Sequence, residues 1–455
     1  MVDPDGLSRA ERALWTAFAG GRWVDLRSRD PVRDDLGQAG SWGVRRLVRA
    51  EVLTALLLGA SRPEPGQAPA IRLRGARITG RLDLMGAVIT YPLVLEYCWL
   101  EEPPRFVEAT TKTIRITGSH LPGFNGARMR TEGILNLYQS EITGVLRLDR
   151  ATIAGEITLR GARLGPAETG DGHWPGQNPA EALAGAGLTV DGDVECNGGC
   201  QIRGEINLRG ARIGGLLSFE DAVLDSSGAA AHLSRLQAGE LSLRTARPMT
   251  GPIRLEQAHV SVLDDDAATW PPQIWLNGFT YGNIRHGSAR VPVSERLDWV
   301  SRGPFGYQPQ PYEQLADYYR RSGHDDDVRR VLLAKQRHRR GTLSLPGRIA
   351  GRMLDLTVGY GYRPWLAAVW LVLLLTAGTV AFAADRPHPL PGGPVPPYSS
   401  FAYTLDLLIP FGAFGLRQAY GEAGAGQWLG YALIASGWIL ATAVIAGITS
   451  AVRRD

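Results

Sequence analysis

From Ile71 onward the chain repeats itself every eleven residues, and no other property narrows its fold as sharply. The register is plain in IRLRGARITGR from Ile71, LDLMGAVITYP from Leu82 and LVLEYCWLEEP from Leu93, and again in LNLYQSEITGV from Leu135, LRLDRATIAGE from Leu146 and ITLRGARLGPA from Ile157. Further windows begin at Ile114, Ile206, Leu217, Ile253 and Ile274. Positions 1, 3 and 8 of a unit are apolar, position 6 is usually small, and glycine recurs at 5 and 10.

Parity gives this pattern a shape. Ile78, Gly80, Leu82 and Leu84 are spaced by two and share one side of an extended chain, whereas Ile89 lies five residues beyond Leu84 and faces the other way. A corner must intervene, and Gly86-Ala87 suits it because glycine tolerates positive φ. Stacked units then set Leu137, Leu148 and Leu159 in one column and Ile142, Ile153 and Leu164 in another. The reading is a mainly β chain, a right-handed-type β-solenoid over 71–303, whose units pair into coils of about 22 residues with the number of faces left open. A β-sandwich has similar turn spacing, but its strands do not repeat side-chain identity. The 56 glycines thereby find a use, since no G-x-y register or Gly/Ser tract accommodates them.

Helical grammar brackets the array. Leu14, Trp15 and Phe18, then Val44, Leu47, Val48, Val52 and Leu56 up to Gly59, predict two capping helices within 1–62, separated from the repeat by the proline-rich Arg62 to Pro69. An irregular insertion, Gly165 to Gly187 with His173, Trp174, Pro175 and Pro179, reads as a surface loop and candidate binding feature. Over 304–345, two short amphipathic helices around Gly323 resemble a single tetratricopeptide-type hairpin, which suits a cap better than a peptide-binding array.

The mean hydropathy of -0.10 hides a membrane domain at 346–455. Trp365 to Ala384 and Trp428 to Val452 are uncharged runs of twenty and twenty-five residues, each long enough to cross ~30 Å of hydrocarbon, so a C-terminal two-helix transmembrane hairpin is predicted. Arg329, Arg330, Lys335, Arg337, Arg339, Arg340, Arg348 and Arg352 precede the first span, and Arg453 and Arg454 follow the second. The connection holds only Arg386 and Arg417, which places both termini in the cytoplasm and the solenoid on the inner face of the plasma membrane, with the basic residues meeting anionic lipid. A short interfacial helix carrying Ile349, Met353 and Leu356 is expected before the first span. Between the spans, SFAYTLDLLIPFGAFGLRQAY from Ser400 is too short to cross and reads as an outer-surface amphipathic helix. Its Asp406 is also the one pore-like candidate, since an acid in an apolar dip can attract cations.

Chemistry is thinly represented. Forty-seven arginines against two lysines, with a net charge of +4, fit a GC-rich genome better than nucleic-acid binding. Cys98, Cys196 and Cys200 are too few for a disulfide framework. Cys196 and Cys200 are the weak redox candidates, but three residues separate them where redox dithiols favour two, and the repeat offers them buried positions. The eight histidines show no metal spacing, no dinucleotide fingerprint or P-loop occurs, and Asp264-Asp265-Asp266 and Asp325-Asp326-Asp327 read as solvated turns and caps. No catalytic residue, cofactor or metal site is predicted.

In RLRGARITGRLDL, PYEQLADYYRRSGHDDDVRRVLLAKQRHRR, LTVGYGYRPW and GWILATAVIAG the chain resembles a group of actinobacterial membrane-associated, pentapeptide-repeat-like proteins over nearly its full length. Members often carry the automatic name membrane-associated oxidoreductase. The resemblance implies architecture, and by name a redox activity, although none of these segments is a catalytic motif and eleven residues is not a five-residue period. The residues themselves favour a scaffold or sensor that binds a protein partner along its ladder. An oxidoreductase and an oligomeric two-span channel around Asp406 are the alternatives.

Overall fold

The computed structural model describes residues 6–61, 66–165, 180–285, 291–348, 351–352, 365–390, 396–411, 414–422 and 424–452. They form two compact units, 1–323 and 324–455.

The first unit is a β-solenoid of about nine turns. Ile71 pairs with Leu93, 22 residues on, Leu93 with Ile114, 21 on, and the same column continues through Leu135, Ile157, Val194, Leu217, Leu241 and Leu263 to Ile284. Two eleven-residue units therefore make one coil. Each coil crosses four faces: the first carries Ile71–Arg74 and its successors, the second Arg77–Thr79, the third Phe124–Asn125 and Leu146–Arg147, and the fourth Thr110–Thr111 and Arg130–Thr131. All these inter-coil pairings are parallel. From Arg212–Ser218 onward one strand rounds the corner from the fourth face to the first, joining both faces in a single 15-stranded sheet.

This geometry corrects the expected columns. Leu137 and Leu159 share the first face, but Leu148 follows Leu146 on the third, because adjacent units lie on opposite sides of the coil. Likewise Ile142 pairs with Leu164 on the second face, while Ile153 pairs with Val190 on the fourth. Inward residues from opposing faces meet along the axis, and Leu137, Leu148, Leu159, Ile142 and Ile153 are all buried.

The corners rest on backbone conformation more than on glycine. Position 5 is left-handed at Gly86 (φ 67°), Tyr97 (53°), Glu108 (58°), Arg128 (57°), Gln139 (52°), Arg150 (55°) and Gly161 (63°). The ladder continues through it: the N–H of Gln139 donates to the Arg160 carbonyl at 2.9 Å, and that of Arg150 to the Ala186 carbonyl at 2.9 Å. Non-glycine residues hold a conformation that costs an L-residue about 1–2 kcal/mol because neighbouring coils hydrogen-bond on both sides. The position-10 glycines have another reason. A Cβ on Gly144 would stand 2.2 Å from the Pro122 carbonyl oxygen of the preceding coil, and one on Gly155 2.7 Å from that of Gly133.

The ends are closed by side chains and short strands as well as helices. Helix α1 (Arg9–Phe18) begins with a capping box between Ser8 and Glu11, and α2 (Ala50–Leu57) packs beside it. The expected helix from Trp42 is broken: Val44–Arg46 is a short 3-10 turn with Val44 exposed, and Leu47–Arg49 is a strand paired with Arg77–Thr79. An open second-face edge needs partners, and the strand supplies them. Val24–Asp25 caps the first face in the same way. At the other end the coils stop at Arg285, and 293–301, expected inside the array, is helix α3 (Val293–Ser301), followed by α4 (Pro309–Arg321). There Gln310 accepts from the Gly278 N–H at 2.9 Å and donates to the Phe279 carbonyl at 3.0 Å, while Gln314 and Arg321 donate to the Tyr281 carbonyl. The acids expected to be solvated include one that is not: Asp265 makes a two-pronged ion pair with Arg296 at 2.5 and 2.6 Å, both side chains about 1% exposed, between Trp270 and Trp299.

In the second unit α5 (Asp325–Gly341) begins with Asp325, Asp326 and Asp327 in its first turn and ends with His338, Arg339 and Arg340, each charge suited to the helix dipole. Helix α6 (Trp365–Ala384) packs against α7 (Ser400–Leu408) and α9 (Ala425–Val452), and α8 (Leu416–Ala419) lies beside α7. Small residues bring the three together: Thr404 of α7 sits over Gly378, and the Leu408 carbonyl over Gly437. Among the described residues α6 is the one helix that is long and apolar enough to cross a membrane, and 17% of its apolar window is buried.

Candidate functional site

On the third face the outward residues shrink to Val107, Ala127, Ala184 and Ala186, and a concavity of about 600 Å³ opens above them. Its rim is polar. Arg147 pairs with Asp149 at 2.9 Å, and the other Asp149 oxygen accepts the Ala186 N–H at 3.0 Å, so that carboxylate is fixed between two coils. Arg128 pairs with Glu108 of the preceding coil at 2.6 Å, and Arg150 stands at a left-handed corner beside Gly187.

Glu181 is placed by an irregularity in the ladder. Between Glu181 and Leu183 the pairing with the next coil slips, so that Glu181 opposes Glu205 while Leu183 opposes Ile206. Such a bulge re-aims a side chain, and here it turns the carboxyl toward Asn207, whose amide donates to it at 2.9 Å. Burial pushes the Glu181 carboxyl above its ordinary value; the Asn207 hydrogen bond opposes that, and Asp149 and Glu205 add to it. The dish thus combines an apolar floor with guanidinium groups and the half-buried Glu181 carboxyl at its rim.

Sequence reading did not find these residues. The signal available was the interruption of the period: Ile157 to Val194 spans 37 residues where a coil needs about 22, and Glu181 stands where the insertion rejoins the ladder. The insertion's His173, Trp174, Pro175 and Pro179 lie outside the described residues.

Cys196 and Cys200 are buried and unbridged, like Cys98. Cys196 faces inward after Val194, and the N–H of Cys200 donates to the Asn197 carbonyl as that of Ala162 does to Leu159, which puts Cys200 in the small corner slot. Burial pushes the Cys98 and Cys200 thiols up to about 12 and Cys196 well above its ordinary value, with the neighbouring Cys200 and Glu195 adding to the shift. At neutral pH all three are thiols, the unreactive form.

Several of the basic residues turn to their own helix. Arg329 and Arg330 pair with Asp326 and Asp327 at 3.5 and 3.3 Å. Lys335, Arg337 and Arg340 also have partners. Arg339 lies in the last turn of α5, and Arg348 folds back to donate to the carbonyls of Gly341, the last residue of that helix, and of Leu343 just beyond it. Arg352 is exposed; Ile349, Met353, Leu356, Arg453 and Arg454 lie outside the described residues.

Asp406 is fully buried among Tyr403, Leu407 and Leu408, and its two oxygens accept the backbone N–H groups of Phe414 (2.8 Å) and Arg417 (3.0 Å). An acid in this apolar segment is thereby accounted for within one chain, as the clamp of the turn between α7 and α8. Nearby, Tyr403 donates to Glu422 at 2.5 Å. Comparison of the chain with protein-family models, with curated proteins and with solved structures finds no match in any of the three.

Proposed function

We propose that the protein is a membrane-anchored interaction protein, its solenoid held at the cytoplasmic face of the plasma membrane by a hairpin of two spans, 365–384 and 428–452. The observation that carries this reading is α6: it is twenty residues without a charge, and it leaves Val369, Val372, Leu373 and Val380 exposed, a face that lipid satisfies and water does not. The second span rests on α9, which is 28 residues long and meets α6 and α7 through glycine. The solenoid supplies what a docking platform needs, rigid polar columns at fixed spacing with a dish on one face. A protein partner is expected on these columns.

Two measurements test the anchor and its orientation. The full chain should stay in the membrane pellet through a sodium carbonate wash, and release into the supernatant would refute the anchor. A His388→Cys variant should react with a membrane-impermeant maleimide in intact cells, because the three native thiols are buried. Labelling only after lysis would refute the orientation. In-cell cross-linking from solenoid faces should trap one reproducible protein, and its absence would count against the platform.

A further inference from the structure

The solvent side of α1 carries arginines that no carboxylate among the described residues pairs with, Arg12 donating only to the Leu7 carbonyl at 3.3 Å. Arg9, Arg12 and Thr16 are exposed on one stripe of that helix, and the chain returns past it through Arg22, Trp23 and Val24. Between them lies a groove of about 640 Å³ with Ala13, Ala17 and Val24 in its lining. Trp23 forms one wall and is fixed from behind: the Arg74 guanidinium lies 3.9 Å from its ring centroid and is itself paired with Glu96 at 2.6 Å. The nearby acids are engaged elsewhere. Glu11 turns inward to Arg49 at 2.8 Å, and Asp25 holds Arg27 at 2.8 Å. Among the described residues no carboxylate lies within ion-pair distance of Arg9, Arg12 or Arg22, whereas on the coils Arg74, Arg77 and Arg128 each pair with a glutamate.

We propose that this groove docks an acidic peptide segment of a partner protein, laid along α1 with its carboxylates on Arg9, Arg12 and Arg22 and its apolar atoms against Ala13, Ala17 and Trp23. Guanidinium groups present forked donors that match carboxylates, and Arg9 and Arg12 stand one helical turn apart, within reach of successive acidic side chains on one strand. The lining favours a chain over a bilayer: the arginines flank a shallow, open groove with Ala13, Ala17 and Val24 between them, a course that successive side chains of an extended segment can follow. This surface is a specific part of the solenoid platform, and docking there depends on the groove alone, not on the membrane anchor.

The test uses the full chain in nanodiscs of phosphatidylcholine and a fluorescent decapeptide of alternating glutamate and alanine, read by anisotropy. Binding should weaken on the order of tenfold or more in the triple variant Arg9→Glu, Arg12→Glu, Arg22→Glu, and in a milder triple change to Gln that keeps the melting profile. It should fall with added salt and be absent for the lysine counterpart. Arg329→Glu with Arg330→Glu on α5 should leave it unchanged. Equal affinity in the α1 variants, or loss in the α5 variant instead, would overturn the proposal. So would α1-dependent binding to phosphatidylserine vesicles without binding to the peptide, which would assign the arginines to a membrane surface.

Discussion

Replacing Gly144 by alanine should damage the solenoid far more than replacing Gly210, although each glycine recurs at its place in the repeat. The Cβ added at 144 would sit 2.2 Å from the Pro122 carbonyl oxygen and 3.2 Å from its carbon, both backbone atoms of the preceding coil. Relief needs a shift of about 1 Å between coils. The ladder bonds on either side, from the Thr143 N–H to the Leu121 carbonyl and from the Phe124 N–H to the Val145 carbonyl, both 3.0 Å, would be stretched. Two such bonds at about 1 kcal/mol each, with overpacking of about 1–3 kcal/mol, give roughly 3–5 kcal/mol. Gly210 has φ 69° and no atom within 4 Å of the new Cβ, so its cost is the left-handed conformation alone, about 1–2 kcal/mol. Gln139→Gly reverses that term and should be neutral or stabilising by roughly 0.5–1 kcal/mol after glycine's added chain entropy. Urea unfolding of the full chain in fixed detergent orders the three variants, and hydrogen exchange at Thr143 and Phe124 localises the effect. A Gly144→Ala midpoint no lower than that of Gly210→Ala would refute the division of the glycines into two kinds.

Four other outcomes are expected. Asp265→Asn strands the buried Arg296 guanidinium and should destabilise the C-terminal cap by about 3–5 kcal/mol, with Arg296→Met in the same chain recovering most of the loss; thermal melting of the single and double variants checks it. Glu11 is held at about 2 against an ordinary 4.5: burial alone would raise it, but the Arg49 side chain and the Ser8 and Arg49 N–H groups outweigh that. Because the folded value is depressed, its roughly 3 kcal/mol is complete above pH ~4.5 and is lost as the pH falls toward ~2, so the acid transition of Glu11→Gln should be flatter in that window. Cys98, Cys196 and Cys200 should resist iodoacetamide in the native protein at pH 8 and react once it is unfolded, and fast labelling of any of them would contradict their burial. Asp406→Asn replaces an acceptor with a donor opposite one of two backbone N–H groups, and limited proteolysis should cut the turn between α7 and α8 faster than in wild type.

Much of this architecture was legible in the chain because a repeat declares its own register. The inward leucines and isoleucines, the small slot filled by Cys98, the inward position of Cys196 and the apolar run of α6 follow from spacing and composition. What stayed hidden depends on closure in space. Period alone does not tell whether Leu148 stacks on Leu137 or faces it across the axis, since both arrangements give the same parity. Corners at Tyr97, Glu108 and Gln139 carry no glycine to mark them, as the neighbouring coils hold the conformation. Leu47–Arg49 has helical periodicity, yet pairing with an exposed edge outweighs it. Asp265 looked like a surface acid and Asp406 like a pore-lining one because their partners, Arg296 and two backbone N–H groups, are remote in sequence or have no sequence identity at all. Glu181 was marked only by the break in the period.

The direction of the ladder has a mechanical consequence. Hydrogen bonds between coils run along the solenoid axis, so tension applied between its first and last coils loads successive rungs in series. Such a structure yields by peeling from an end, one rung at a time. Each released coil of about 22 residues adds roughly 75 Å of contour length at the extension of an unfolded chain. The latches that oppose peeling are local to the ends, Leu47–Arg49 with Arg77–Thr79 on one side and Gln310, Gln314 and Arg321 on the other. Force spectroscopy on the solenoid would therefore record a latch-breaking event followed by a regular train of equal steps, with the coil carrying the insertion standing out as one longer step.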